Sequence, residues 1–348
     1  MIRACSACVL PFLLACAVSA AGIENIHIRG QNAPAHIDAE AHTVFIPVGY
    51  YGNARVFPLS HAVVEQIKTT DGVPRTLPDT LDLRDWTSFK IGDETWKIKG
   101  GYQLPASDFG IWHSEQVPGF ITFGHTTCDE MAGSPRQRIW DNGNPAFSAS
   151  GSHNWPTKKI RLRDGSFAAE LTTRSVIGVI ASGNLFTGRI VRDMSLKQLL
   201  GFTDKDGKAL IAWGVPFEGR PRGFRVKIKY NGLGDSCTVM ATLENRKNGV
   251  RSFVGVAWYS AKTDSARGKE GVVRISAPDK NGLRTLETEF FYGRAHKGAD
   301  PLPPGAVQGT AGEPITHVNV VFASSRKGDY FKGVKGAQLI VKDFEFIY

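Results

Sequence analysis

Cysteine is scarce in this 348-residue chain: of five, Cys5, Cys8 and Cys16 fall before residue 20, which leaves Cys128 and Cys237 for the body of the protein. That excludes a scaffold knit by many disulfides. The remaining pair admits two readings, one disulfide or two separate half-buried thiols, and no Cys-x-x-Cys or Cys/His group suggests zinc. Long apolar runs are missing beyond the N-terminus, so no later segment reaches the roughly 20 residues that a membrane helix needs. Helical periodicity is rare, and only Met194 to Leu200 reads as a helical turn. A Gly-x-Ser-x-Gly elbow, a His-Glu-x-x-His pair, a P-loop and a dinucleotide fingerprint are all absent. Blocks of one charge are absent too. The formal charge is +9, but Lys and Arg are interspersed with acids, as at Lys158, Lys159, Arg161, Arg163 and Asp164. Such dispersal describes solvated sheet faces and argues against nucleic acid as a partner.

Arg3 precedes a short apolar stretch, Val9, Leu10, Phe12, Leu13 and Leu14, which reads as an export signal over residues 1–21. Val18-Ser19-Ala20 offers ordinary cleavage. Leu13-Leu14-Ala15-Cys16 offers a lipobox that would lipidate Cys16. The expected location is outside the cytoplasm, periplasmic or at the outer membrane and cell surface, with membrane contact only through that lipid.

Short strand candidates then follow between Gly, Asn, Asp and Pro punctuation. In residues 22–101 these are Ile26 to Ile28, Thr43 to Val48, Ala62 to Val64, Trp86 to Ile91 and Thr95 to Ile98, a spacing that fits a small immunoglobulin-like sandwich. Gly100-Gly101 reads as a flexible boundary. Residues 102–348 continue with Ala168 to Thr173, Phe224 to Tyr230, Thr238 to Leu243, Val254 to Tyr259, Leu286 to Tyr292, His317 to Ala323 and Gln338 to Tyr348. Phe224, Val226 and Ile228 alternate with Arg225, Lys227 and Lys229, which gives one buried and one wet face. The expected class is therefore all-β, a small N-terminal immunoglobulin-like sandwich followed by a larger jelly roll. The Pro-rich loop from Ala295 to Glu313 is long enough to serve a ligand site or to be plain surface.

Ordered pieces of residues 102–348 resemble the putative carbohydrate metabolism domain family, a bacterial jelly-roll domain found behind immunoglobulin-like domains in exported proteins. They include Leu104-Pro105-Ala106-Ser107-Asp108-Phe109-Gly110-Ile111-Trp112, Ala181-Ser182-Gly183-Asn184-Leu185-Phe186-Thr187-Gly188 and Gly214-Val215-Pro216-Phe217 with Arg220-Pro221. Lys229-Tyr230, Asp235-Ser236-Cys237, Ser324-Ser325-Arg326-Lys327-Gly328-Asp329 and the terminal Lys342 to Tyr348 complete the set. Gly110 and Ile111 depart from the pattern, since the family usually carries acids there. The resemblance implies a carbohydrate partner, with fold implied more firmly than reaction.

Sugar recognition needs a flat apolar surface for the C–H face of a pyranose and planar polar groups for its hydroxyls. Trp112, Trp140, Asp141, Asn144 and Trp155 bring both kinds together, the Trp140 to Pro145 piece reading as a turn that exposes Asp141 and Asn144. Arg220 and Arg222 flank a proline and add guanidinium donors, although Arg220 also reads as a partner for Asp235. Trp213 and Trp258 read as core. Asp343 and Glu345 alternate on the last strand and raise calcium as an additional ligand. The expectation is a glycan-binding or glycan-processing accessory protein. A glycoside hydrolase would pair two carboxylates, with Asp141, Glu170, Glu218 and Asp235 available. A structural or adhesive surface component would bury the tryptophans. Histidines 61, 113, 125, 153 and 317 read as surface or core rather than as bases.

Overall fold

The computed structural model describes residues 21–50, 57–75, 77–119, 124–136, 138–176, 178–190, 211–264 and 270–348. Residues 1–20 of the segment expected as an export signal, with Cys16, and the Met194 to Leu200 stretch expected as a helical turn lie outside these residues. Among them the chain is almost entirely β, in several sheets that are mostly antiparallel. No described helix is long and apolar enough to cross a membrane.

The N-terminal part forms two sheets. Ile23–Ile28, Ala62–Thr69 and Thr80–Leu81 make one; His36–Asp38, Thr43–Gly49, Glu94–Gln103 and Thr87–Ile91 make the other. Every second residue points inward, so Ile26, Ile28, Val44, Ile46, Trp96 and Ile98 meet in a core shared by the two sheets. Thr43–Gly49 pairs with Glu94–Gln103 in parallel, in contrast to the other pairings of these two sheets.

Gly100-Gly101 is not a flexible hinge. Both residues are buried inside the Glu94–Gln103 strand, where a Cβ on Gly101 would come within 2.4 Å of Tyr348 and 2.6 Å of Phe45. Gly101 allows the close approach of Tyr348, and Gly100 that of Leu59 and Leu83. Around them Tyr348 donates its hydroxyl to Tyr102 O at 2.8 Å, Gln103 exchanges two hydrogen bonds with the Phe346 backbone, and Tyr50 packs edge-on against Phe217. The two halves of the chain thus share one continuous hydrophobic core.

The C-terminal part is built on two larger sheets. A six-stranded sheet runs in the order Thr157–Arg161, Phe167–Thr172, Gln338–Ile347, Gly223–Asn231, Arg284–Glu289, Val272–Ile275. A nine-stranded sheet runs Trp140–Asp141, Asn184–Ile190, His317–Ala323, Thr238–Lys247, Val250–Tyr259, Phe291–Tyr292, with Ile211–Trp213, Val215–Pro216 and Ala306–Gln308 paired onto its strands. Leu171, Val226, Ile228, Leu339 and Val341 from the first sheet meet Val239, Ala241, Leu243, Val318, Val320 and Phe322 from the second. The stretch expected as one strand from Leu286 to Tyr292 breaks at Phe290, so that its two pieces serve different sheets.

Candidate functional site

The residues nominated from sequence do not form a shared groove. Trp140 is 2% exposed and Trp155 is 9% exposed. Trp140 Nε1 donates to Pro105 O at 3.0 Å, and the ring packs among Phe109, Phe322 and Phe344. Trp155 Nε1 donates to Ser148 Oγ at 2.7 Å. Trp112 is half-buried, with its Nε1 donating to Phe109 O.

Nor is the Trp140 piece an exposed turn. It is a short strand leading into a helix at Asn144–Ala149, and Asp141 and Asn144 are fully buried. Asp141 Oδ2 accepts the Ile190 amide, and Asn144 donates to Glu130 O and Thr157 O while accepting the Thr157 amide. Their polar atoms satisfy buried backbone, and none is offered to a sugar.

Arg220 is exposed, yet it donates to Ala311 O and Glu313 O and lies over the Tyr292 ring, clasping the end of the 295–313 loop. Asp235 instead accepts the Ser236 and Val334 amides. Arg222 is exposed, and its backbone bridges Ile347 and Phe290. Asp343 is engaged by Lys227 and Lys342, and Glu345 by Arg225, so both carboxylates proposed for calcium already have cationic partners. Among the described residues no group of three or more His, Cys, Asp or Glu could hold a metal. Cys128 and Cys237 are separate buried thiols, and burial pushes Cys237 up to about 12.

A different constellation emerges on the outer face of the nine-stranded sheet. Alternation along Thr238–Lys247 sends Val239, Ala241 and Leu243 inward, which turns Met240, Thr242, Glu244 and Arg246 outward. On the neighbouring His317–Ala323 strand, His317 lies opposite Glu244 and Asn319 opposite Thr242. On the other side Arg251 lies directly opposite Arg246.

Two like charges in that position repel. Glu244 answers them from two residues away. Its carboxylate, 0% exposed, accepts Arg251 Nη2 at 2.8 Å and Nε at 3.1 Å, and Arg246 Nε at 2.8 Å. Burial pushes the Glu244 carboxyl up, but the two guanidiniums outweigh burial and hold it below its ordinary range. Arg246 Nη2 also donates to Trp213 O at 2.7 Å. The guanidinium-bearing side chains remain 24% and 28% exposed, and neither Nη1 makes a hydrogen bond within the described residues.

Beside them, Asn319 is only 4% exposed and its Oδ1 has no hydrogen-bond partner. An unsatisfied buried oxygen is costly, and native structures keep few of them. His317 is half-buried; desolvation and the neighbouring arginines lower its pKa although Glu244 opposes them.

Apolar side chains frame this polar stripe. Phe186, Val321, Met240 and Trp213 pack on one flank, and Phe253, Val256 and Trp258 on the other. The 295–313 loop lends Ala299, Leu302 and Ala306 to the second flank, and its Ala306–Gln308 strand runs parallel to Arg251–Phe253. Trp258, expected to pack as core, is buried in one of these clusters, and Trp213 is half-buried against the other. The alternation of Thr242, Glu244 and Arg246 was readable in the sequence; their meeting with His317 and Asn319 required the sheet order.

A family model described as putative carbohydrate metabolism domain matches residues 108–347. No curated protein matches. Among solved structures, a putative glycoside hydrolase from Bacteroides thetaiotaomicron is 18% identical, with a TM-score of 0.46, 94% of this chain and 96% of that chain covered. A putative glycoside hydrolase from Bacteroides vulgatus is 16% identical, with a TM-score of 0.42 and coverages of 76% and 96%. A family 11 carbohydrate-binding module from Clostridium thermocellum, in complex with a β-1,3-1,4-mixed-linked tetrasaccharide, is 14% identical, with a TM-score of 0.30 and coverages of 64% and 94%.

Proposed function

The chain belongs to the putative carbohydrate metabolism domain family, and we propose that it is an exported glycan-binding protein whose ligand lies on the outer face of the nine-stranded sheet. In this reading residues 22–101 are an immunoglobulin-like sandwich and 102–348 a jelly roll. The observation that carries the proposal is the buried, unpartnered Asn319 Oδ1 beside two guanidiniums that each keep an uncommitted Nη1. An acceptor and several donors on one rigid sheet match the alternating hydroxyls of a sugar, and the half-buried Trp213 supplies an aromatic flank.

Binding is favoured over hydrolysis by the state of the local carboxylates. A glycosidase acid needs a raised pKa so that it carries a proton at neutral pH. Glu244 is held in its charged form, and so is Glu313, whose carboxylate is stabilised by the Ser252 hydroxyl and the Thr310 amide. Neither serves as proton donor.

Glycan-array screening followed by calorimetry on the best ligand tests the reading. Asn319→Ala should weaken binding about tenfold, the worth of one good hydrogen bond in a desolvated place. Failure of every glycan on the array to bind would refute the proposal.

A further inference from the structure

We infer that this face selects glycans carrying an anionic substituent, a carboxylate or a sulfate, and that Arg246 and Arg251 receive it. The inference rests on the glycan-binding reading and narrows it to a ligand class.

Charge balance drives the argument. Arg246 and Arg251 occupy directly opposed cross-strand positions, so their Cβ atoms are about 4.5–5.5 Å apart. Glu244 is the carboxylate that both guanidiniums share. Glu313, the other charged carboxylate at this edge, is engaged by the Ser252 hydroxyl and the Thr310 amide and by neither guanidinium, so at the pair itself two cations share one anion and one positive charge is left over. His317 lies across the strand from Glu244; desolvation is the main cause of its lowered pKa, and the two arginines add to it against the opposing carboxylate.

Hydrogen-bond capacity agrees with charge. Arg251 spends Nε and Nη2 on Glu244, and Arg246 spends Nε on Glu244 and Nη2 on Trp213 O. Each keeps its Nη1 uncommitted within the described residues. Paired arginine donors suit a planar carboxylate or a sulfate better than a lone hydroxyl, because charge-assisted bonds are the stronger ones. Glu244 fixes both side chains in advance, so little further ordering accompanies binding. The Asn319 oxygen, which repels an anion, would then accept a hydroxyl of the same ring.

The experiment is calorimetric titration of the full-length mature protein with two matched pairs of ligands: a uronate oligosaccharide with its methyl ester, and a sulfated galactan oligosaccharide with its desulfated form. The charged member of at least one pair should bind about tenfold tighter than its neutral counterpart. Which pair responds identifies the anion. The gain should shrink as salt rises from low to physiological strength.

Arg246→Met should bring charged and neutral members to near parity. Glu244 keeps the two bonds from Arg251 in this variant, so the sheet retains its buried pair. Lys280→Gln removes an exposed cation from the turn between Val272–Ile275 and Arg284–Glu289 of the six-stranded sheet, and its preference should match that of the parent protein. Equal affinity for both members of both pairs would overturn the inference while leaving glycan binding intact. So would an equal loss of preference in Lys280→Gln, since overall charge would then explain it. If Arg246→Met does not fold, Arg251→Met carries the comparison, because Glu244 keeps the bond from Arg246, and it should likewise lose the preference for the anion; full retention of that preference in folded Arg251→Met counts against the inference. Absence of binding by all four ligands and by the neutral array would sink the glycan reading itself.

Discussion

Replacing Glu244 with Gln isolates what the buried carboxylate does. The substitution keeps shape and removes the charge that two opposed guanidiniums share. Removing one member of a fully buried pair costs about 3–5 kcal/mol. Here the arginine side chains keep roughly a quarter of their exposure, so solvent absorbs part of the loss and about 2–3 kcal/mol is expected. For one cooperative unit spanning both halves that corresponds to a fall in Tm of about 3–5 °C. Urea and thermal denaturation at neutral pH measure it. The pH dependence supplies a second reading with a definite sign. Burial raises the Glu244 pKa and the arginines more than compensate, so its folded value lies below the ordinary 4.5. Its contribution is then complete above that value and is lost as pH falls through the folded pKa. The gap between parent and variant should narrow on acidification below about pH 4.5. A Glu244→Gln protein within about 0.5 kcal/mol of the parent at neutral pH would refute the account of Glu244 as the shared counter-ion.

Three further outcomes are expected. Gly101→Ala should destabilise the whole chain by about 1–3 kcal/mol, because its Cβ collides with Tyr348 and Phe45; calorimetry should show one transition shifted, and two separated transitions would contradict the shared core. Trp140→Phe should cost about 1–3 kcal/mol through the lost bond to Pro105 O and poorer packing, yet leave the affinity for the best array ligand unchanged in titration. His317→Gln should flatten the stability profile between neutral pH and pH 5. Desolvation and the arginines lower the folded His317 pKa beneath 6.5, so the unfolded chain takes up a proton first and stability declines as pH drops below 6.5. An identical profile for parent and variant in urea titrations would contradict this.

The all-β class and most inner faces were legible because a strand's period is short and local. Phe224, Val226 and Ile228 against Arg225, Lys227 and Lys229 carried their own answer. The Trp140 to Pro145 piece misled for a physical reason. Asp, Asn and Gly favour turns when only local backbone is considered, but a buried chain crossing also needs side chains that satisfy its amides, and Asp141 and Asn144 do that. Gly100-Gly101 misled in a similar way, since a glycine's freedom and a glycine's small size are indistinguishable until the packed neighbour, Tyr348, is known. The Asn319 and Glu244 meeting lay beyond local reading because it depends on which strands neighbour each other.

The two outer faces of the C-terminal sandwich use the same residue types to opposite ends. On the six-stranded sheet Arg274, Glu287, Arg225 and Glu345 alternate in sign across four strands, and Asp343 is held by Lys227 and Lys342. Glu287, Glu345 and Asp343 each meet a cation there, and such partly exposed pairs contribute little to stability. On the nine-stranded sheet Glu244 is fully buried, the paired arginines keep donors unused, and Asn319 keeps an unsatisfied oxygen, while apolar clusters close in from both flanks. Low local dielectric makes each of those imbalances more expensive than its counterpart on the open face. Buried atoms without a hydrogen bond occur on the six-stranded sheet too, at Arg225 Nε. What sets the nine-stranded face apart is that a buried carboxylate, two idle guanidinium donors and an unsatisfied amide oxygen fall in one patch flanked by apolar clusters. That concentration is the ground for proposing this face, rather than the tryptophans near residue 140, as the sugar-binding one.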